Sequence, residues 1–81
     1  MKIKFSRHAK RRMRLYNIDI NDVMGTIKTY EPDTKHVIGV KEVLNRAMSE
    51  KYRYPLKVVY TRENDSIHII TVYPLKRGLK L

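Results

Sequence analysis

His8 and Arg12 stand four residues apart in a stretch, Arg7 to Tyr16, that contains neither Gly nor Pro. On a helix that spacing puts both side chains on one face, one turn apart. They sit inside a run of Lys2, Lys4, Arg7, Lys10, Arg11 and Arg14. Seven of the first sixteen residues are Lys or Arg and none is acidic. Like charges repel, so such crowding adds nothing to fold stability, and a polyanion is the usual reason for it. Cleaving RNA without a metal needs a base for the 2′-hydroxyl, cations for the phosphate and an acid for the leaving oxygen. A neutral imidazole at His8 suits the base, and Arg12 or Arg11 suits the phosphate clamp. The plainer alternative is a His that caps or packs beside a solvated row of arginines.

A second set of residues lies in the C-terminal half. Strand alternation separates Leu56, Val58 and Tyr60 from Lys57, Val59 and Thr61. Helices on the first set leave Lys57 on the open face, where it joins the candidate catalytic cations. Tyr52, Arg53 and Tyr54 precede this strand, and Tyr73, Lys76 and Arg77 follow in and after the next. Tyrosines interleaved with cations suit single-stranded nucleic acid, because rings stack on bases while cations meet phosphates. Arg7, Lys10, Tyr52, Arg53, Tyr73, Lys76 and Arg77 are the candidate binding residues. Packing is the alternative for Tyr60 and Tyr73, and turn anchoring for Tyr52 and Tyr54 beside Pro55. His68, with apolar neighbours, reads as an edge or face residue of a strand. The three histidines lack metal-ligand spacing, and neither a Gly-rich phosphate loop nor a Ser-His-Asp grouping is visible. No metal and no cofactor is expected.

The elements that must position these residues follow from pattern. Ile3 to Phe5 reads as a short strand and Ser6 as an N-cap. Ala9, Met13 and Tyr16 form an apolar stripe, and Asn17 can end the helix in a left-handed conformation. Asp19 caps a second helix, with Ile18 and Val23 as a hydrophobic staple and Ile20, Val23, Met24 and Ile27 as its apolar face. Glu31-Pro32-Asp33 closes it. His36 to Val40 is β-like. Val43, Leu44, Ala47 and Met48 fit a helix, yet Leu44 to Tyr52 also reads as an extended strand. Leu56 to Thr61 and Ile67 to Tyr73 form an antiparallel hairpin turning at Glu63 to Ser66. Lys76 to Leu81 is a basic tail. The order gives an α+β sandwich.

At 81 residues the chain is expected to be one domain spanning 1–81. It has 42% hydrophobic residues, enough to fold, with a net charge of +10 and a pI of about 10.1. Nucleic acid fits that charge best, although an anionic membrane surface or an acidic protein would also accept it. The chain has no Cys, which excludes disulfides and Cys-based zinc sites and favours a reducing compartment. Nothing approaches the ~20 apolar residues of a membrane span, and no signal-peptide run follows the basic N-terminus. A cytoplasmic location with no membrane partner is expected.

Phe5-Ser6-Arg7-His8-Ala9, Arg12-Met13, Asn17-Ile18, Asp22-Val23, Leu56-Lys57-Val58-Val59-Tyr60 and Ile69-Ile70-Thr71-Val72-Tyr73-Pro74 together resemble a family of small, largely uncharacterised domains in the RelE/ParE-like toxin superfamily. The opening S-x-H-A-x-x-R-M and the closing T-V-Y-P carry the likeness, and Tyr30 to Lys41 departs from it. The resemblance implies two N-terminal helices packed on a twisted antiparallel sheet, and makes Leu44 to Tyr52 a strand. It implies a toxin of a toxin–antitoxin pair, of the RelE type that cleaves mRNA on the ribosome without metal, or of the ParE type that acts on gyrase. His8 and Arg12 are the motif-matched positions. An acidic, partly disordered antitoxin is the implied partner. A basic RNA- or DNA-binding module without catalysis needs the same charge and is the alternative.

Overall fold

The computed structural model describes residues 2–30, 39–63 and 66–76. In chain order these form β1 (Lys2–Phe5), α1 (Arg7–Leu15), α2 (Ile20–Tyr30), β2 (Gly39–Asn45), a 3-10 turn (Arg46–Met48), α3 (Ser49–Tyr52), β3 (Leu56–Glu63) and β4 (Ser66–Pro74). The strands make one sheet in the order β1-β4-β3-β2. The fold is α+β, as the sequence implies. Among the described residues no helix is long and apolar enough to cross a membrane.

Alternation decides which face is covered. Leu56, Val58 and Tyr60 on β3 and Ile67, Ile69 and Val72 on β4 are fully buried against Ala9, Ile18, Val23 and Ile27 of the helical layer. Burying side chains of this size contributes about 1.5–3 kcal/mol each before ordering entropy is counted. Ile3 and Phe5 of β1 pack against the same cluster. Among the described residues no helix covers the opposite face of the sheet, where Lys57 and His68 lie.

A single irregularity fixes where α1 begins. Val59 pairs with Thr71, but the next residue, Tyr60, pairs with Ile69, so Ile70 is an extra residue on β4. Such a bulge takes carbonyls out of the regular ladder. Ser6 fills the gap: its N–H donates to the Ile69 carbonyl at 3.0 Å, and its hydroxyl donates to the Ile70 carbonyl at 2.7 Å. The same Oγ accepts from the Ala9 N–H at 2.9 Å and so caps α1. At the other end Asn17, with φ of 56°, reverses the chain. There Ile18 N–H donates to the Met13 carbonyl at 2.8 Å and Asn17 N–H to that of Arg14 at 3.3 Å, a Schellman closure.

Two expectations are corrected. The sheet is mixed, because β1 runs parallel to β4, with Lys2 beside Ser66 and Phe5 beside Ile69. Two helices intervene before the next strand, so the chain is not bound to the antiparallel return that a tight hairpin imposes. The strand expected over Leu44 to Tyr52 lies earlier, at Gly39–Asn45, and residues 46–52 are helical. Asn45 stops the strand. Its Oδ1 accepts from the Ala47 N–H at 3.1 Å, and its Nδ2 donates to Thr26 Oγ1 at 2.8 Å. Asn45 and Thr26 are both buried, so this bond ties β2 to α2. The expected closure at Glu31-Pro32-Asp33, the part of the β-like run at 36–38 and most of the basic tail lie outside the described residues.

Ser6→Ala removes the cap and the hydroxyl's bond to the Ile70 carbonyl, and leaves the backbone bond to Ile69. Urea denaturation should show a loss of about 1–2 kcal/mol, with a melting temperature lower by several degrees. Unchanged stability would mean that the Ser6 hydroxyl does not anchor α1.

Candidate nucleic-acid interface

Three chain segments converge on one concavity of about 520 Å³, lined by Tyr16, Asn17, Lys51, Tyr52, Arg53, Tyr54, Pro74 and Lys76. The first wall is the end of α1. Helical spacing puts His8, Arg12 and Tyr16 on one strip, with His8 about 12 Å along the axis from Tyr16. Arg12 Nη1 donates to Tyr16 Oη at 3.4 Å, a long contact that keeps the guanidinium beside the ring.

The second wall is the segment after α3, held by one carboxylate. Asp22 Oδ2 accepts from Lys51 Nζ at 2.8 Å and from the Tyr52 hydroxyl. The Tyr52 oxygen in turn accepts from the Asp19 N–H at 3.0 Å. Lys51 first, then Tyr52, hold the Asp22 carboxyl below its usual 3.8. Burial, then the bond to Asp22, pushes the Tyr52 hydroxyl above its usual 10.0. With Tyr52 pinned, Arg53 turns the chain at φ of 74°. A left-handed conformation disfavours a residue with a Cβ by about 1–2 kcal/mol, and Arg53 projects as an exposed cation beside the concavity.

The third wall is the end of β4. Leu56 is opposite Pro74 in the ladder, and the Leu75 N–H donates to the Pro55 carbonyl at 2.8 Å. Continuing that register brings Tyr54 opposite Lys76. The Lys76 ammonium lies 5.9 Å from the Tyr16 ring centre and 6.0 Å from that of Tyr54.

Of the candidate residues, Tyr52, Arg53 and Lys76 line this groove, and Arg12 reaches its edge through the Tyr16 hydroxyl. His8 is exposed one turn along from Arg12, and Arg11 is exposed on the outer side of the helix. Arg7 is exposed, and Lys10 lies about 160° around the helix from Arg12, on its far flank. Lys57 and Tyr73 do not join the groove. They are opposite one another on β3 and β4, on the face turned away from the helices. Lys57 Nζ pairs there with Glu42 at 2.8 Å, and that bond raises the Lys57 pKa above its usual value. The expected grouping of His8, Arg11 and Arg12 with Lys57 is therefore split by the sheet. Arg77 lies outside the described residues. The Tyr52 hydroxyl is bonded to Asp22 and Asp19, while the residue still lines the groove.

Sequence reasoning passed over Tyr16 and Tyr54 as candidate binding residues. Tyr16 continues the His8–Arg12 spacing by one more turn, a usable signal that its place in the apolar stripe hid. Tyr54 reads as a turn anchor until the ladder sets Lys76 opposite it.

Residues 5–74 match the family described as Domain of unknown function (DUF4258). The chain belongs to the DUF4258 family. No curated protein and no solved structure matches it. The matched span of this DUF4258 domain takes in two of the groove's walls, from His8 to Tyr16 and from Lys51 to Tyr54, together with the Asp22 carboxylate. Lys76 follows it by two residues.

Two outcomes are expected for the DUF4258 groove. Tyr52→Phe should lower unfolding free energy by about 1.5–3 kcal/mol, because it breaks a bond to a charged acceptor. The Asp22 contribution is full above its unfolded value near 3.8 and is lost as pH falls through the lower folded value. The Tyr52 contribution is full below 10.0 and is lost as pH rises through the higher folded value. Denaturation curves of Asp22→Asn and wild type should therefore converge in strong acid and separate at neutral pH. A constant gap across that range would contradict the role given to Asp22.

Proposed function

We propose that this protein is an RNA-directed toxin of a toxin–antitoxin pair, acting in the cytoplasm on single-stranded RNA, including mRNA held on the ribosome. The observation that carries the reading is the groove in which Arg53 and Lys76 lie with the rings of Tyr16 and Tyr54, with Arg12 at its edge against the Tyr16 hydroxyl. Rings that stack on bases beside cations that meet phosphates suit a single strand and not a duplex. The resemblance to RelE-type toxins adds the reaction. His8 takes the proton of a 2′-hydroxyl. That oxygen attacks the adjacent phosphorus while Arg12 and Arg11 stabilise the phosphorane charge. The bond to the 5′ oxygen breaks, leaving a 2′,3′-cyclic phosphate and, once protonated, a 5′-hydroxyl. No metal or cofactor enters this scheme. Lys57, on the far side of the sheet, is given no part in it. An acidic antitoxin covering the groove is the proposed inhibitor.

A second reading, a basic RNA-binding module that does not cut, is supported by one observation. His8 and Lys57, the expected base and phosphate cation, are on opposite sides of the sheet.

Growth after expression of the protein alone, compared with a His8→Ala, Arg12→Ala double variant, tests the first reading. Arrest by wild type only, with cyclic-phosphate ends on its RNA, is the expected result, and equal toxicity rules out both roles. Binding to a short labelled RNA should weaken with salt at a log–log slope of about −2 to −3, for three or four phosphate contacts. Binding with RNA left intact, alone and with ribosomes, selects the second reading. Recovery of one protein partner and no RNA would point instead to a gyrase-type target.

A further inference from the structure

Lys76 is exposed at the end of β4, yet its ammonium lies over the rings of both Tyr16 and Tyr54, 5.9 Å and 6.0 Å from their centres. Aromatic rings pair, offset-stacked or edge-to-face, with centres 4.5–7 Å apart. A flat heterocycle centred where the ammonium now lies is thus within stacking reach of both tyrosines. The site is built from two independent anchors. Tyr16 is set by the Schellman closure of α1, and Tyr54 by the pinning of Tyr52 on Asp22 and the Leu75–Pro55 hydrogen bond.

Resting on the RNA-binding reading above, we infer that Tyr16 and Tyr54 form a clip for one unpaired nucleobase. In the free protein the Lys76 ammonium occupies the slot, and base entry displaces it toward a neighbouring phosphate. An alkylammonium ligand would also suit ring faces. Arg12 and Arg53 oppose that choice, since they crowd positive charge around the slot. A base arrives with phosphates that those same cations attract. Cation–π contacts at exposed positions are weaker than base–aromatic stacking, so the exchange runs toward the nucleotide. The clip holds by ring faces, so any of the four bases fits, and sequence preference at this position is weak.

The test uses the full chain and two labelled RNA ten-mers of equal charge, oligouridylate and the same ribose-phosphate backbone with every base removed. Anisotropy titrations give affinities, and the chain has six Tyr and no Trp, so intrinsic tyrosine fluorescence reports the rings directly. Oligouridylate should bind roughly tenfold tighter than the abasic strand and quench tyrosine emission. Tyr54→Leu should erase that preference, and Tyr54→Phe, which keeps the ring, should retain it. Circular dichroism of each variant separates loss of the ring from loss of the fold. Should Tyr16→Leu disturb α1, Tyr54→Leu alone decides the matter. Lys76→Met should keep the base preference while flattening the salt slope by about 0.7, one phosphate contact. Equal binding of both strands by wild type overturns the clip and leaves RNA binding standing. Binding of neither strand overturns the underlying reading itself.

Discussion

One carboxylate organises the functional end of this strongly basic chain. Asp22 stands at the start of α2, where a negative charge also suits the helix dipole, and it gathers Lys51 and the Tyr52 hydroxyl from a segment thirty residues on. Together with the Asp19 N–H, which donates to the Tyr52 oxygen, it fastens the short α3 turn to the helical layer. With it, the chain leaves α3 at a fixed point and swings through Arg53 into Tyr54 and Pro55. The groove exists because this turn is held against the last turn of α1. The arrangement spends acidic charge sparingly: Asp22 is satisfied internally, so the cations around it remain available to an outside anion.

The local parts of this plan are written in the sequence. Ser6 before an uninterrupted basic stretch marks the start of α1, Asn17 marks its end, and Ile18 with Val23 marks the entry to α2. The hairpin of β3 and β4 is equally plain, since alternation and turn residues act over a few positions. What resists reading is long-range. Neither the parallel pairing of β1 with β4 nor the bulge at Ile70 is announced by any local pattern. The helical course of 46–52 depends on Asn45 and Tyr52 finding partners on α2, nineteen and thirty positions back. There the extended reading drawn from likeness alone gave way to two side-chain bonds.

The candidate site was legible in the same uneven way. Arg12, Arg53 and Lys76 announce themselves by charge. Their assembly with Tyr16 and Tyr54 needs the register of β3 against β4, which only the folded chain provides. Lys57 carries the opposite lesson. Alternation along β3 already sets it against Leu56 and Val58, so covering those two with helices must send Lys57 to the far side. A single cleft joining it to α1 is incompatible with the pleat itself. The two cationic faces are better understood as separate surfaces, one ringed by tyrosines and the other partly neutralised by Glu42.

The pairing of β1 with β4 bears on biosynthesis. β1 has its sheet partner sixty-four residues further along, at Ser66–Ile69. Until β4 has been made, Lys2–Phe5 lacks this strand to pair with and Ser6 lacks the Ile69 and Ile70 carbonyls. Contacts of such long sequence separation form late. In a nascent chain the basic segment around α1 therefore stays without this anchor until β4 follows it, and the groove gains its third wall only when Pro74 and Lys76 are in place.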